Sequence, residues 1–370
     1  MSDANLIRTP LYRLHAALGA KFVPFAGYAM PVQYAQGIMH EHAVTRTRAG
    51  LFDVSHMGQI SLRGSPAALE ALVPSNIADL AIGAQRYTVL TNSEGGILDD
   101  LMVTRFNDHL HLVVNAAFKE TDFNHLQREL GLECTLEWLA DRALLALQGP
   151  AAAAVLAPLC PAAAALHFMQ GCAATIAGIP CLINRAGYTG EDGFEISIPA
   201  RHAEHLAQTL LAHAAVEPVG LGARDSLRLE AGLCLSGADI DATTSPVAAG
   251  LSWTIAKKYV GDNAQPAHFP GAELILEQHR TGSARIRVGL RVLGRAIARS
   301  GANLSAAGGI AVGRITSGGF GPTVESAIAM GYVERAWSKP GTALHVTIRD
   351  REHAVEVVAL PFVPHRYHKL

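Results

Sequence analysis

The chain has 370 residues, more than one ordinary hydrophobic core organises, so two or three domains are expected. Its formal net charge is -2 and it holds no run of Lys and Arg, so no attraction to nucleic acid or to an acidic membrane surface is expected. The five cysteines, Cys134, Cys160, Cys172, Cys181 and Cys234, are odd in number and form no CxxC pair; they argue against a disulfide framework and against zinc or iron-sulfur ligation, and read as buried, reduced thiols.

In chain order, residues 1–15 hold no apolar run after the first basic residue, so no secretory signal is read and the expected location is cytoplasmic. Helical spacing covers residues 37–48 and stops before Gly50, while residues 54–62 alternate like a strand. Residues 65–72 read as a helix with Ser65 as N-cap and Pro66 at the first helical position. A Gly95-Gly96 turn leads into strands at 97–106 and 110–115, followed by a helix over about 121–130. No Asp, Glu, Lys or Arg lies between Arg142 and Arg185, a length sufficient to span a bilayer. Pro150, Pro158, Pro161 and Pro180 with Gly149, Gly171 and Gly178 cut that stretch into short elements of a soluble core. Strands and helices mix without regular alternation, which favours an α+β fold. After Tyr259, Gly261, Pro266, Pro270 and Gly271 mark a connection to a short helix at 272–278. Beyond Ala284 period-two alternation recurs at 286–292, 310–316, 327–333, 344–348 and 354–360, the pattern of a small β-barrel or sandwich.

Three segments concentrate chemistry. In the strand GGILDDLMV, Asp99 and Asp100 fall on opposite faces that both carry apolar residues, so at least one carboxylate is desolvated, and such groups cluster at functional sites. In AGYTGEDGFE, Gly187, Gly190 and Gly193 suit a tight turn, and Glu195 sits between Phe194 and Ile196 where it can point inward; a hairpin bearing solvated acids is the alternative. In PVGLGARDSLRLEAG, Arg224 and Arg228 lie four apart on one helix face, where like charges repel unless an anion lies between them. Asp225 answers Arg228 at three-residue spacing, which leaves Arg224 either for an external carboxylate or for an ion network with Glu230. His40, Glu41 and His42 lack HExxH spacing and His56 stands alone, so these read as capping or core residues and no metal site is expected. No GxGxxG, P-loop or GxSxG occurs, and the glycine-rich loop at 317–322 lies between strands without a helix dipole to cradle phosphate.

Taken together the segments resemble the glycine cleavage T-protein (aminomethyltransferase) family nearly end to end. TPLY (9–12), FAGYAMPVQY (25–34), LFDVSHMGQI (51–60), NSEGGILDDL (92–101), LQGP (147–150), GYTGEDGFEI (187–196), GLGARDSLRLEAGLCLSGADID (220–241), TSGGFGPT (316–323) and PFVPHRY (361–367) occur in the family's order. The resemblance implies three domains around a central hole that holds tetrahydrofolate: an α+β domain of residues 1–52 with 138–280, an inserted α+β domain of 53–137, and a C-terminal β-barrel of 285–370. It implies transfer of an aminomethyl group from the lipoyl arm of H-protein to tetrahydrofolate, with release of ammonia and formation of 5,10-methylenetetrahydrofolate. Asp100 matches the family's catalytic carboxylate, Glu195 the glutamate on the pterin edge, and Arg224 and Tyr367 folate contacts. Tyr188 shares the signature loop of Glu195, while Met57 and Tyr87 resemble pocket walls.

Two positions depart from the family pattern: Tyr28 stands where Trp is usual, and Gly321 replaces a usual Ser. The same fold serves tetrahydrofolate-dependent demethylases of sulfonium compounds, amines or aryl ethers, and folate-facing residues alone do not choose among donors. The folate-binding branch linked to iron-sulfur maintenance carries a KGCYxGQ segment, which is missing here. For a lipoyl carrier, Lys257, Lys258, Arg285, Arg287 and Arg291 are the candidate docking cations.

Overall fold

The computed structural model describes residues 5–369; residues 1–4, which open the stretch inspected for a secretory signal, and residue 370 lie outside them. From the N-terminal side come helix α1 (Tyr12–Ala17), the hairpin β1 (Lys21–Phe25) and β2 (Tyr28–Gln33), helix α2 (Gly37–Thr47) and strand β3 (Ala49–Asp53). Then follow β4 (Gly58–Arg63), α3 (Pro66–Glu70), β5 (Gln85–Thr91), β6 (Ile97–Arg105), β7 (Leu110–Val114), α4 (Lys119–Leu130) and β8 (Thr135–Trp138). The chain continues through β9 (Arg142–Gln148), α5 (Ala152–Leu156), α6 (Pro161–Ala164), β10 (Gln170–Ile176), β11 (Ile179–Arg185), β12 (Gly193–Pro199), α7 (Ala203–Leu211), β13 (Val216–Val219), α8 (Leu221–Glu230) and α9 (Ala272–Thr281). It ends in β14 (Arg285–Val292), β15 (Asn303–Ser305), β16 (Ala311–Gly321), β17 (Ser326–Glu334), β18 (Ala343–Ile348) and β19 (Arg351–Val358).

These strands form a six-stranded sheet in the order β10-β11-β12-β9-β3-β13, a five-stranded sheet β5-β6-β7-β4-β8, and a closed barrel β14-β17-β16-β15-β18-β19. The fold is therefore mixed α+β with a C-terminal barrel. In the six-stranded sheet, period-two alternation sends Leu51, Leu145 and Leu147 onto α5, α6 and α7. It sends Phe52, Leu144 and Ala146 onto Val113 of β7 and Ala223 and Leu227 of α8. Both faces of β3 and β9 are thus buried, and these strands read as apolar runs rather than as alternating ones. The five-stranded sheet packs its other face on Leu69 of α3 and on Leu126 and Leu130 of α4.

Several local readings meet their physical cause. Ser65 Oγ accepts from the Ala67 amide at 3.3 Å with Pro66 in the first turn. The strand expected over 54–62 begins only at Gly58, because Met57 N–H closes a turn onto Val54 O at 3.1 Å. The glycine-rich stretch 317–322, read as a loop, mostly belongs to β16. A Cβ on Gly318 would lie 2.0 Å from Ala298 O, so glycine there serves close backbone approach inside the barrel wall. Among the described residues, no helix is long and apolar enough to cross a membrane. The cysteines are free, four of them buried.

Buried charge ties the parts together. Arg46 of α2 donates to Glu191 Oε1 at 2.9 Å, to Thr189 O at 2.8 Å and to Glu230 Oε2 at 2.9 Å. Glu230, at the end of α8, accepts the Thr323 amide from the β16–β17 turn at 2.7 Å and lies 3.1 Å from His42 Nε2. Burial alone would raise the Glu230 carboxyl, yet the hydrogen bonds from His42, Thr323 and Arg46 hold it at about 2. His40 and Glu41 are also structural: His40 pairs with Glu217, and Glu41 accepts the backbone amides of Tyr34 and Gly220.

Removing one member of a buried pair leaves an uncompensated charge, so Arg46→Ala is expected to cost about 3–5 kcal/mol in urea unfolding. Arg280→Ala removes a guanidinium whose side chain is 72% exposed beside Glu277, and is expected to cost under about 1 kcal/mol.

Candidate active site

Strand β6 brings two carboxylates into the interior. Asp99 is fully buried, and Asp100, on the next position and so on the other face, meets Tyr87 from β5. Asn115, immediately after β7 and across from Asp100, spans the pair: its Nδ2 donates to Asp100 Oδ1 at 2.7 Å, to Asp100 O at 3.0 Å and to Asp99 Oδ1 at 2.9 Å. Burial, and then the charge of Asp99, lift the Asp100 carboxyl to about 7 against the hydrogen bonds from Tyr87 and Asn115. A carboxyl tuned to that value holds or releases a proton near neutral pH.

The wall continues from Tyr87. Its ring packs with Val89, Ile97 and Cys234 and lies 5.2 Å from the ring of Trp253. The Tyr188 hydroxyl donates to Cys234 O, and the Arg224 guanidinium stands 4.8 Å over the Tyr188 ring. Arg224 projects from the first turn of α8 toward the charge of Glu195 on β12 without forming an ion pair with it. Arg224 Nη1 is buried and has no hydrogen-bond partner among the described residues. Burial raises the Glu195 carboxyl, opposed by Arg224, and no hydrogen bond from the described residues satisfies it. The ion network with Glu230 does not exist, since Arg46 and His42 occupy that carboxylate. Arg228 is taken as its spacing implies, by Asp225 at 2.8 Å, and also by Asp239 at 2.8 Å.

Asp100, Tyr87, Tyr188, Arg224 and Glu195 therefore form one connected set. Met57 packs, with Met102, on the apolar cluster of Phe52, Val54, Val113, Ala223 and Leu227 that α8 shares with the sheet. Tyr367 is placed differently: its ring stacks on Phe168 at 4.0 Å, and its charged neighbours are Arg46 and Glu191. The turn before Glu195 is not a solvated hairpin, because Glu191 is buried on Arg46 and Asp192 pairs with Arg185 at 2.6 Å. A Cβ on Gly187 would lie 1.8 Å from Gln148 Oε1, and Gly190 has φ 78°, so both glycines are required there.

Of the candidate docking cations, Lys258 is engaged by Glu70, and Arg287 turns inward to Ala249 O at 2.8 Å and Gly232 O at 2.9 Å. Lys257, Arg285 and Arg291 remain exposed. A cavity of about 730 Å³ between α9 and the barrel is lined by Asp239, Asp241, Gln278, Arg285 and Tyr332 and by none of the seven candidate site residues. Among the described residues, no group of three or more His, Cys, Asp or Glu side chains is placed to hold a metal ion.

The departures have local explanations. Tyr28 accepts a hydrogen bond from Lys119 Nζ at 2.7 Å while that ammonium lies 4.4 Å from its ring centre. A Cβ on Gly321 would lie 2.7 Å from Val324 Cγ2 and 3.1 Å from Glu230 Oε1, so Ser there requires those side chains to shift. Sequence reasoning does not single out Asn115 or Asp122, which both meet the buried carboxylates of β6. An Asn closing an apolar strand opposite an Asp-Asp pair is the signal that marks the first.

Residues 11–259 match the family described as the GCVT N-terminal domain, and residues 285–364 match the glycine cleavage T-protein C-terminal barrel domain. The chain is similar to a probable mitochondrial aminomethyltransferase of Schizosaccharomyces pombe, 43% identical over 378 residues that cover 100% of this chain and 96% of the relative. It is also similar to the mitochondrial aminomethyltransferase of Gallus gallus, 45% identical with 98% and 94% covered. The chain belongs to the glycine cleavage T-protein family. The crystal structure of a family member, the glycine cleavage system aminomethyltransferase T of Bartonella henselae, superposes with a TM-score of 0.91 at 46% identity, covering 98% of this chain and 100% of that one. The cytoplasmic location expected above is corrected by these T-protein relatives, which are named mitochondrial in yeast, bird and plant. Inspecting the first residues for a secretory segment does not test for import into an organelle.

A carboxyl whose folded pKa is raised contributes stability that is complete below its unfolded value and lost as pH rises through the folded one. Asp100→Asn abolishes that titration. Its Tm is expected to exceed the native one above about pH 7 and to converge with it near about pH 4, the native protein losing on the order of 1.4 kcal/mol for each tenfold difference in proton affinity between folded and unfolded chains.

Proposed function

We propose that this chain is a tetrahydrofolate-dependent aminomethyltransferase of the glycine cleavage system, moving the aminomethyl group from the lipoyl arm of H-protein to tetrahydrofolate. The observation that carries this reading is the conjunction of a buried, unpartnered Arg224 Nη1, a Glu195 carboxyl that no hydrogen bond among the described residues engages, and a carboxyl at about 7 in one connected set. Family membership supplies the class of reaction, and these residues supply a chemical fit to both substrates.

Tetrahydrofolate is the acceptor substrate, and its two ends call for different partners. A pterin edge offers adjacent N–H donors, which a carboxylate such as Glu195 accepts. The tail carries carboxylates, which an unpaired guanidinium such as Arg224 receives in bidentate geometry. Tyr188 braces Arg224 from beneath, and Tyr87 and Met57 present the apolar surface that a ring system needs.

The reaction breaks the bond from carbon to ammonia and the bond from carbon to the lipoyl sulfur, and forms bonds to N5 and N10. The two protons of the folate nitrogens end on ammonia and the thiol. The carbon is cationic on the way, and a buried carboxylate beside it stabilises that charge far better than water does. Asp100 is assigned that place and the accompanying proton movement, with Asn115 fixing its orientation.

Asp100→Asn is expected to lower kcat by about 10²-fold or more in the H-protein-dependent assay while folate binding persists. Arg224→Ala is expected to raise KM for tetrahydrofolate about 10- to 100-fold with a smaller change in kcat. Normal turnover in the Asp100 variant contradicts the assignment. Folate binding without product in the native protein points to a methylated sulfur, nitrogen or aryl ether donor instead.

A further inference from the structure

We propose that Asp122 is a positioning residue for Asp100: its carboxyl shares one proton with Asp99, which keeps Asp99 a single fixed negative charge that orients Asn115, and Asn115 holds the Asp100 carboxylate. This rests on the assignment of Asp100 made above and adds a second layer of residues behind it.

Hydrogen-bond accounting leads to the shared proton. Asp122 lies in α4 near its N-terminal end, is 3% exposed, and its Oδ2 has no donor in reach among the described residues. Two successive backbone hydrogen bonds, Phe118 N–H to Asn115 O at 3.0 Å and Asp122 N–H to Phe118 O at 2.8 Å, seat it one helical turn beyond the Asn115 amide that Asp99 accepts, and Asp99 is the carboxylate whose charge acts on it most strongly. Asp99 already accepts from Ser236 Oγ at 2.5 Å, from the Asn115 amide at 3.3 Å and from Asn115 Nδ2 at 2.9 Å. All three are donors, so Asp99 is the carboxylate and Asp122 is the acid. Two carboxylates in contact inside a protein do not both ionise, and the proton resides on the one with no other donor.

The groups facing this pair are few. Asp99 and Asp100 of β6 are the charges that act on Asp122, and Tyr87 of β5 lies beyond Asp100. On α4 itself, Lys119 is directed to Tyr28 and His56 O, and His125 to Arg128. From β4 and β8, the neighbours on α4 are Gly58 and Trp138, both uncharged. Burial first, and then Asp99, place Asp122 at about 9, above Asp100 at about 7. At neutral pH the relay is therefore set as Asp122–H to Asp99 carboxylate to Asn115 amide to Asp100. Above about 9 the proton leaves, Asp99 and Asp122 repel, and Asn115 loses its anchor.

The test compares the native protein with Asp122→Asn, which keeps size and a donor, with Asp122→Ala, and with Asp100→Asn. Infrared difference spectra of protein carrying isotopically labelled Asp, taken at about pH 8 between the two values, are expected to show a protonated carboxyl band in the native protein and in Asp100→Asn, and none in Asp122→Asn. In the H-protein-dependent assay Asp122→Asn is expected to keep kcat within about threefold and to move the alkaline limb of its pH profile upward, because the amide does not titrate. Asp122→Ala is expected to lose about tenfold in kcat with KM for tetrahydrofolate unchanged. Persistence of the band in Asp122→Asn, or a native kcat and alkaline limb in Asp122→Ala, overturns the proposal. If Asp100→Asn turns over normally while the band is lost in Asp122→Asn, the shared proton stands and the assignment of Asp100 fails.

Discussion

A buried charge must be answered, and helix α8 carries two buried charges and a third, half-buried one to three different places. Glu230 is answered by Arg46 and His42, which binds α8 to α2 and, through Thr323, to the barrel. Arg228 is answered by Asp225 and Asp239 and by Ser317 of β16 at 2.9 Å. Arg224 is left with an unsatisfied Nη1. The first two fix the helix between the six-stranded sheet and the barrel so firmly that the third is held where nothing among the described residues completes it. Desolvating a guanidinium without a partner is costly, and a fold retains such a group when a ligand completes it.

The same logic governs Asp100. Three acids from β6 and α4 crowd one buried volume, and the cost is relieved by protonation, by Asn115 and by Ser236 rather than by a cation. Withholding a cation keeps the Asp100 carboxyl near 7, where a proton is exchangeable and where negative charge is available to a cationic carbon. An Arg or Lys beside Asp100 would have stabilised the fold and removed both properties. On the proposed function the two halves of the site work in opposite directions: an unpaired cation for the anionic tail of one substrate, and carboxyls without a cation partner for the donors and positive charge at its reacting end.

What is legible in the sequence follows the range of the interactions. The isolation of Arg224 and the pairing of Asp225 with Arg228 are matters of helical spacing, and are readable. The partner of Glu230 is Arg46, 184 residues away, and no local pattern names it. Barrel strands such as β18, with one solvated face, alternate and are readable; β3, buried along its whole length, does not alternate and escapes the pattern. The inward turn of Glu195 is suggested by its apolar neighbours, but the burial of Glu191 and the pairing of Asp192 beside it depend on Arg46 and Arg185. The proposed pairing of Asp122 with Asp99 joins helix α4 to strand β6, and Asp122 by itself reads as an ordinary acid near a helix start.

The proposed function requires that one chain bind tetrahydrofolate and accept a one-carbon unit from a lipoyl carrier at the same set of residues. Its most direct test is a single turnover in which aminomethyl-loaded, lipoylated H-protein is mixed with excess enzyme and tetrahydrofolate, and ammonia and 5,10-methylenetetrahydrofolate are both quantified. The proposed function predicts equal amounts of the two products, each matching the aminomethyl group supplied. Ammonia without methylenetetrahydrofolate, or bound folate with neither product, contradicts it.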